Sequence, residues 1–134
     1  VIDMDAMFSN ATAFNQNIEN WDTSNVTDIG WMFESAENFN QNLGGWDVSQ
    51  VTYAESMFEN IDLYTFFYDA LLKGWSAQNL QPGVTFGGGR SNYCKSESAR
   101  ESMVKNDGWI ITDGGKDCSP DIFLFLPLVI TSVP

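Results

Sequence analysis

VTDIGWMFESAENFNQNLGGWDVSQ, residues 26–50, restates the 25 residues before it, VIDMDAMFSNATAFNQNIENWDTSN, at 12 of 25 positions. Independent markers fix the period: Val1, Val26 and Val51; Met7-Phe8, Met32-Phe33 and Met57-Phe58; Trp21 and Trp46. A repeat of roughly 20–50 residues is the mark of a solenoid, in which each short unit buries its apolar side only by stacking on its neighbours.

Within a copy, Ile29, Met32, Phe33 and Ala36 fall at the i, i+3, i+4, i+7 spacing of a short helix packed on one face, with Thr27 or Asp28 as its cap. The segment that follows, FNQNLGGWDVS, is too broken by Asn and Gly to be helical. It predicts a turn and then a short strand over 43–47, with its copy over 18–22. Successive strands then stack in parallel about 4.8 Å apart, helical turns outside. Amides recur at fixed offsets, Asn15, Gln16 and Asn17 and then Asn40, Gln41 and Asn42. Such side chains can satisfy backbone groups where the chain bends and bond to the layers above and below. The repeated Trp and Phe read as a stacked core rather than a sugar platform.

After MFEN at 57–60 the pattern decays. Phe67, Ala70, Leu71 and Trp75 share a helical face, with Asp62 or Thr65 as the expected cap. A strand is expected over 84–86. A second helix in SESARESMVKNDG follows, with Ser98 and Glu101 as a capping box, Ala99, Met103 and Val104 buried, and Gly108 as the stop. WIIT, 109–112, is the next strand. Strand, helix, strand implies a right-handed parallel crossover that continues the sheet and closes its end.

The expected fold is therefore α/β: a short right-handed solenoid of parallel strands and short helices, closed by a strand-helix-strand cap. Residues 1–60 carry the repeats (1–25, 26–50 and a partial 51–60), and 61–118 cap the same domain. Residues 119–134 read as a linker or the first strand of a following module, and a chain opening on Val1 reads as a piece of a longer polypeptide. The apolar run Ile122 to Ile130 is interrupted by Pro127 and is far short of the ~20 residues that span a bilayer, so no membrane span is expected.

Net charge is -12, and it is unevenly spread: all six bases lie at or beyond Lys73, while residues 1–72 hold twelve acids. That half would repel phosphate backbones, which argues against nucleic acid as a partner. Catalytic chemistry finds little support either. There is no His to act as base or metal ligand, Cys94 has no imidazole to activate it, and no pair of carboxylates is singled out among many. GGGR at 87–90 lacks the Lys and Ser/Thr of a phosphate loop. No cofactor is expected. Weakly bound calcium is the one metal the sequence offers, through Asp22, Asp28 and Asp47 at turns beside Ser24, Asn25 and Ser49; the competing reading is that these residues form Asx turns.

The strings MFESAENFNQNLGGWDVSQVT and MFSNATAFNQNIENWDTSNVTDIGWMF resemble the BspA-like leucine-rich-repeat proteins of bacterial surfaces, whose repeats read MFxxAxxFNQxLxxWDVSNVTDM. The tail YDALLKGWSAQNLQPGVTFGGGRSNYC and GWIITDGGKDC is similar to the segment that follows those repeats in some members. The resemblance implies a leucine-rich-repeat-like solenoid, export, attachment at the bacterial cell surface, and adhesion or contact with an extracellular protein or matrix component. With export implied, Cys94 and Cys118 are expected to form a disulfide. The alternative role is a structural spacer, stabilised by calcium if the turns hold it. Candidate partner-binding residues are Glu19, Asn20, Asp22 and Asp47, with Gly44 and Gly45 beside them.

Overall fold

The computed structural model describes residues 2–119. Each 25-residue copy forms one layer, and the layers are joined by a regular backbone ladder. The N–H groups of Met4, Ala6, Phe8 and Asn10 donate to the carbonyls of Asp28, Gly30, Met32 and Glu34 at 2.7–2.9 Å. Ile29, Trp31, Phe33 and Ser35 donate in the same way to Tyr53, Glu55, Met57 and Glu59 at 2.8–3.0 Å. Parallel bridges at Asp3–Asp28 and Asp28–Tyr53 mark the same register.

The helix expected through Ile29 and Ala36 does not form. Consecutive tight turns take its place: Met7 N–H to Met4 O, Ser9 to Ala6 and Ala11 to Phe8 at 3.0–3.2 Å. They depend on left-handed residues at two fixed places in the period. Ala6, Trp31 and Ser56 have φ of 54–56°, and Asn10, Ser35 and Asn60 have φ of 56–66°. A helix would direct its N–H groups along its own axis, whereas these turns leave every second N–H for the next layer. Ile29, Met32, Phe33 and Ala36 still face inward, each at most 1% exposed. Asp28 caps no helix; its Oδ1 accepts the Gly30 N–H at 3.0 Å in an Asx turn. Thr27 donates its N–H to the Ile2 carbonyl.

The strand expected over 43–47 is likewise a turn. Trp46 N–H bonds to Leu43 O at 3.1 Å and Asn42 Oδ1 accepts the Gly44 N–H, so this backbone is used locally. Parallel pairing falls instead at Asp3, Asp28 and Tyr53. The core side chains stack in register. Phe8, Phe33 and Phe58 form one column with centroids 5.7 and 5.5 Å apart, and Phe14 and Phe39 a second at 5.7 Å. The amides work between layers: Asn15 Oδ1 accepts the Asn40 N–H, Asn40 Oδ1 accepts the Tyr64 N–H, and Gln41 Nε2 donates to Asn15. Asn15 is exposed and Asn40 half-buried, so these amides line the rim rather than the core.

Past residue 60 the elements are α1 (Thr65–Ser76), β1 (Thr85–Gly87), β2 (Asn92–Tyr93), α2 (Glu97–Asp107), β3 (Ile110–Thr112) and β4 (Gly115–Lys116). β1 pairs in parallel with β3, and β2 with β4. The ladder runs into this half: Ala54 bridges Phe86 in parallel, and Phe58 N–H donates to Gly87 O. β1 and β3 sit within a residue of where the sequence puts strands; β2 and β4 are too short to be read from pattern.

The expected caps are replaced. Tyr64 precedes α1 with no side-chain cap, so neither Asp62 nor Thr65 serves. Ser96, not Ser98, precedes α2, and its hydroxyl donates to Asp69. Glu101 pairs with Lys105 at 2.9 Å, so the Ser98–Glu101 box does not form. α2 buries Met103; Val104 lies exposed and Ala99 half-buried. Gly108 ends the helix in the left-handed region, as its position predicts. The residues expected as linker or strand lie, from 120 onward, outside the described residues. Among the described residues no helix is long and apolar enough to cross a membrane.

Candidate functional site

The turns that close each layer carry the same device twice. Asp22 Oδ1 accepts the Ser24 N–H at 3.1 Å and the Ser24 hydroxyl at 2.6 Å. Asp47 does the same with Ser49, at 3.0 and 2.6 Å. Bonds from the Ser24 hydroxyl, then from its N–H, hold the Asp22 carboxyl below the usual aspartate range. A layer-to-layer bond locks the turns together, Thr23 Oγ1 to Asp47 O at 3.0 Å. In the next layer Gln78 of the α1 region takes over, its Nε2 donating to Trp46 O and its Oε1 accepting the Val48 N–H.

Of the residues read from sequence as partner-binding, Glu19, Asn20, Asp22 and Asp47 are all exposed, as is Gly45. Gly44 is different. It lies under α1, where a Cβ would meet the Ala70 carbonyl, so its role is packing. The carboxylates expected for calcium have other partners in this structure. Asp22 and Asp47 are engaged by their own serines, while Asp28 lies beside Asp5, whose carboxyl is pushed up by partial desolvation and then by Asp28 and Asp3. Among the described residues no group of three or more His, Cys, Asp or Glu is arranged to hold a metal.

Two clusters in the C-terminal half escaped the sequence reading. Asp69 on α1 is buried and accepts the N–H groups of Cys94 and Lys95 and the Ser96 hydroxyl. It fixes the loop that carries Cys94, which is disulfide-bonded to Cys118. Tyr68, buried, donates to Asp113 Oδ2 at 2.6 Å, and Arg100 Nε meets the same oxygen at 2.9 Å. Burial first, and Asp113 second, push the Tyr68 phenol well up, so it stays protonated and donates. The only available signal for either cluster was polar residues at core positions of a helix. Nothing local in the sequence names their partners, which are 25 or more residues away.

These features define a class: a chain of stacked 25-residue repeats whose exposed turns repeat an Asp-x-Ser motif, followed by an α/β segment pinned by one disulfide. A family described as "Mycoplasma protein of unknown function, DUF285" matches residues 1–84, and the chain belongs to that family. No curated protein and no solved structure matches the chain.

Proposed function

We propose that the chain is a non-catalytic, leucine-rich-repeat-like solenoid of the BspA-like kind, right-handed, secreted or displayed at a bacterial surface, and that it works by protein-protein contact. The supporting observation is the exposed acidic turn built twice at the same place in successive layers, Asp22 with Ser24 and Asp47 with Ser49. Repetition at a fixed spacing on a hydrogen-bonded frame presents carboxylates in a preset array, which lowers the ordering cost of binding a basic protein surface. The Cys94–Cys118 disulfide supports an oxidising, extracellular setting. Glu19, Asn20, Asp22 and Asp47 are the contact residues in this reading.

The test is a binding screen of the disulfide-intact chain against immobilised extracellular-matrix proteins, repeated with Glu19→Gln, Asp22→Asn and Asp47→Asn combined. A matrix protein whose affinity falls at least ten-fold in the triple variant supports the reading, as does comparable weakening between low and high salt. Binding indifferent to the triple variant overturns the assigned surface. Absence of any binder favours the spacer, a reading supported by the engagement of Asp22 and Asp47 in their own turns.

A further inference from the structure

One rim of the stack departs from the repeat and gathers aromatic rings beside amides. The FNQ string sets Phe14-Asn15-Gln16 and Phe39-Asn40-Gln41 at the same place in two layers. In the third layer Leu63 and Tyr64 stand there instead, and Asn40 Oδ1 accepts the Tyr64 N–H at 2.8 Å. Leu63 is buried, but Tyr64 and Phe66 are each 48% exposed, with Phe67 half-buried. The three rings form one cluster with centroids 4.3–6.1 Å apart, and the planes of Tyr64 and Phe66 lie 18° apart. Core packing uses the repeated Phe rings; these rings are additional, and solvent covers much of two of them.

The neighbouring amides have bonding capacity left. Asn15 Oδ1 accepts the Asn40 N–H and Gln41 Nε2, and the same nitrogen also donates to Asn15 O. Among the described residues, Asn15 Nδ2 and Asn40 Nδ2 donate to no protein group, and Gln41 Oε1 accepts from none. A layer spacing of about 4.8 Å sets one free donor above the other. The strip is also uncharged. Residues 1–72 hold twelve acids and no base, yet 13–18, 38–46 and 63–68 contain no charged side chain. Glu37 and Asp62, both exposed, precede two of these segments.

We propose that this strip binds a neutral oligosaccharide. A pyranose has an apolar C–H face that packs on an exposed aromatic ring, and a rim of hydroxyls that both donate and accept. Tyr64 and Phe66 supply the ring faces, while Asn15 Nδ2, Asn40 Nδ2 and Gln41 Oε1 supply the matching donors and acceptor. The amides are already fixed by bonds between layers, which lowers the ordering cost of binding. Other occupants fit less well. A basic partner finds no carboxylate on the strip, and an acidic glycan is repelled by Glu37 and Asp62. An apolar protein surface laid over the rings would bury the free amide groups without partners. The site shares no residue with Glu19, Asn20, Asp22 and Asp47, and it stands whether or not those turns bind protein.

The test is an NMR titration of the disulfide-intact chain with cellotetraose, maltotetraose, chitotetraose and, as the acidic counterpart, tetragalacturonate. Each is added to about 10 mM, enough to fill even a site with a Kd of ~1 mM. At least one neutral sugar should shift the side-chain amide signals of Asn15, Asn40 and Gln41 together with the Tyr64 ring. Tyr64→Ala with Phe66→Ala removes two exposed rings and should weaken that binding at least ten-fold. Asn15→Asp keeps the acceptor for Asn40 and Gln41 but removes the free donor and adds a charge; it should weaken binding at least five-fold. The Glu19→Gln, Asp22→Asn, Asp47→Asn variant should bind the sugar as the parent does, which separates this site from the protein-binding surface. No shift with any neutral sugar, shifts confined to other surfaces, or binding indifferent to both strip variants overturns the proposal. So does tetragalacturonate binding as tightly as the best neutral sugar.

Discussion

Gly74 of α1 rests against Gly44 of the second layer, backbone on backbone, so that a Cβ built on Gly74 would overlap the Gly44 carbonyl oxygen. The neighbour is main chain in the middle of a turn, and no flexible side-chain end is available to move. Gly74→Ala should therefore displace α1 and cost about 2–4 kcal/mol in urea unfolding, as overpacking against backbone does. Gly45 has nothing within 4 Å of a built Cβ, so Gly45→Ala should change stability by less than about 0.5 kcal/mol. Equal effects at the two positions would contradict the packing described.

The indole bond between layers has its own signature. Trp46→Phe keeps much of the ring but leaves the Ile18 carbonyl without its buried donor, which should cost about 2–4 kcal/mol once the lost ring volume is included. Trp21→Phe removes an N–H without an acceptor among the described residues and should cost less than about 1 kcal/mol. Denaturant midpoints of the two single variants make the comparison.

Reducing the Cys94–Cys118 bond opens a loop with a sequence separation of 24, worth about 3.5 kcal/mol on the chain-entropy account. Asp69→Asn attacks the same loop from the other side, weakening the charged bonds to Cys94, Lys95 and Ser96. Its cost should be about 2 kcal/mol. Because Asp69 positions the Cys94 loop, Asp69→Asn should also slow re-formation of the disulfide after reduction, followed by mass spectrometry of alkylated samples.

Acid acts on Asp5 and Asp22 in opposite senses. The Asp22 carboxyl is lowered by Ser24, so its ionised form favours the folded chain above the unfolded-state aspartate value, and that contribution is lost as pH falls through the lower folded value. The Asp5 carboxyl is raised, first by desolvation and then by Asp28 and Asp3. Its ionisation thus disfavours folding as pH rises through the window between the unfolded and folded values. At neutral pH Asp5→Asn should raise the melting midpoint and Asp22→Asn should lower it. Both differences should shrink toward zero in strong acid, where each carboxyl is protonated folded or unfolded.

The period, the aromatic columns and the amide contacts were legible in the sequence, because each is a residue type held at one place in successive copies. Asn15 and Asn40 show this well: the same offset gives the same bond to the next layer. The local conformation was misread because Ile29, Met32, Phe33 and Ala36 satisfy helical spacing equally well when carried on successive turns. The distinguishing signal is a positive φ, and only Asn10 and Asn60 are residues known for it; Ala6, Trp31 and Ser56 give no warning. Leu43 to Asp47 looked like a strand by composition, but Asn42 and the Gly pair bend it into a turn. The exposed residues Glu19, Asn20, Asp22 and Asp47 were found from polarity at turns. Gly44 was misplaced because its close neighbour comes from Gly74 and Ala70, far along the chain.

Each layer holds the next through parallel rows of bonds, from Met4, Ala6, Phe8 and Asn10 and then from Ile29, Trp31, Phe33 and Ser35. As a mechanical object, such a chain pulled by its N-terminal end loads one row at a time. It would pay out in steps of roughly 85 Å, the contour of a 25-residue layer at about 3.4 Å per residue. The stretch from Cys94 to Cys118 would not lengthen at all, since the disulfide carries the tension past it.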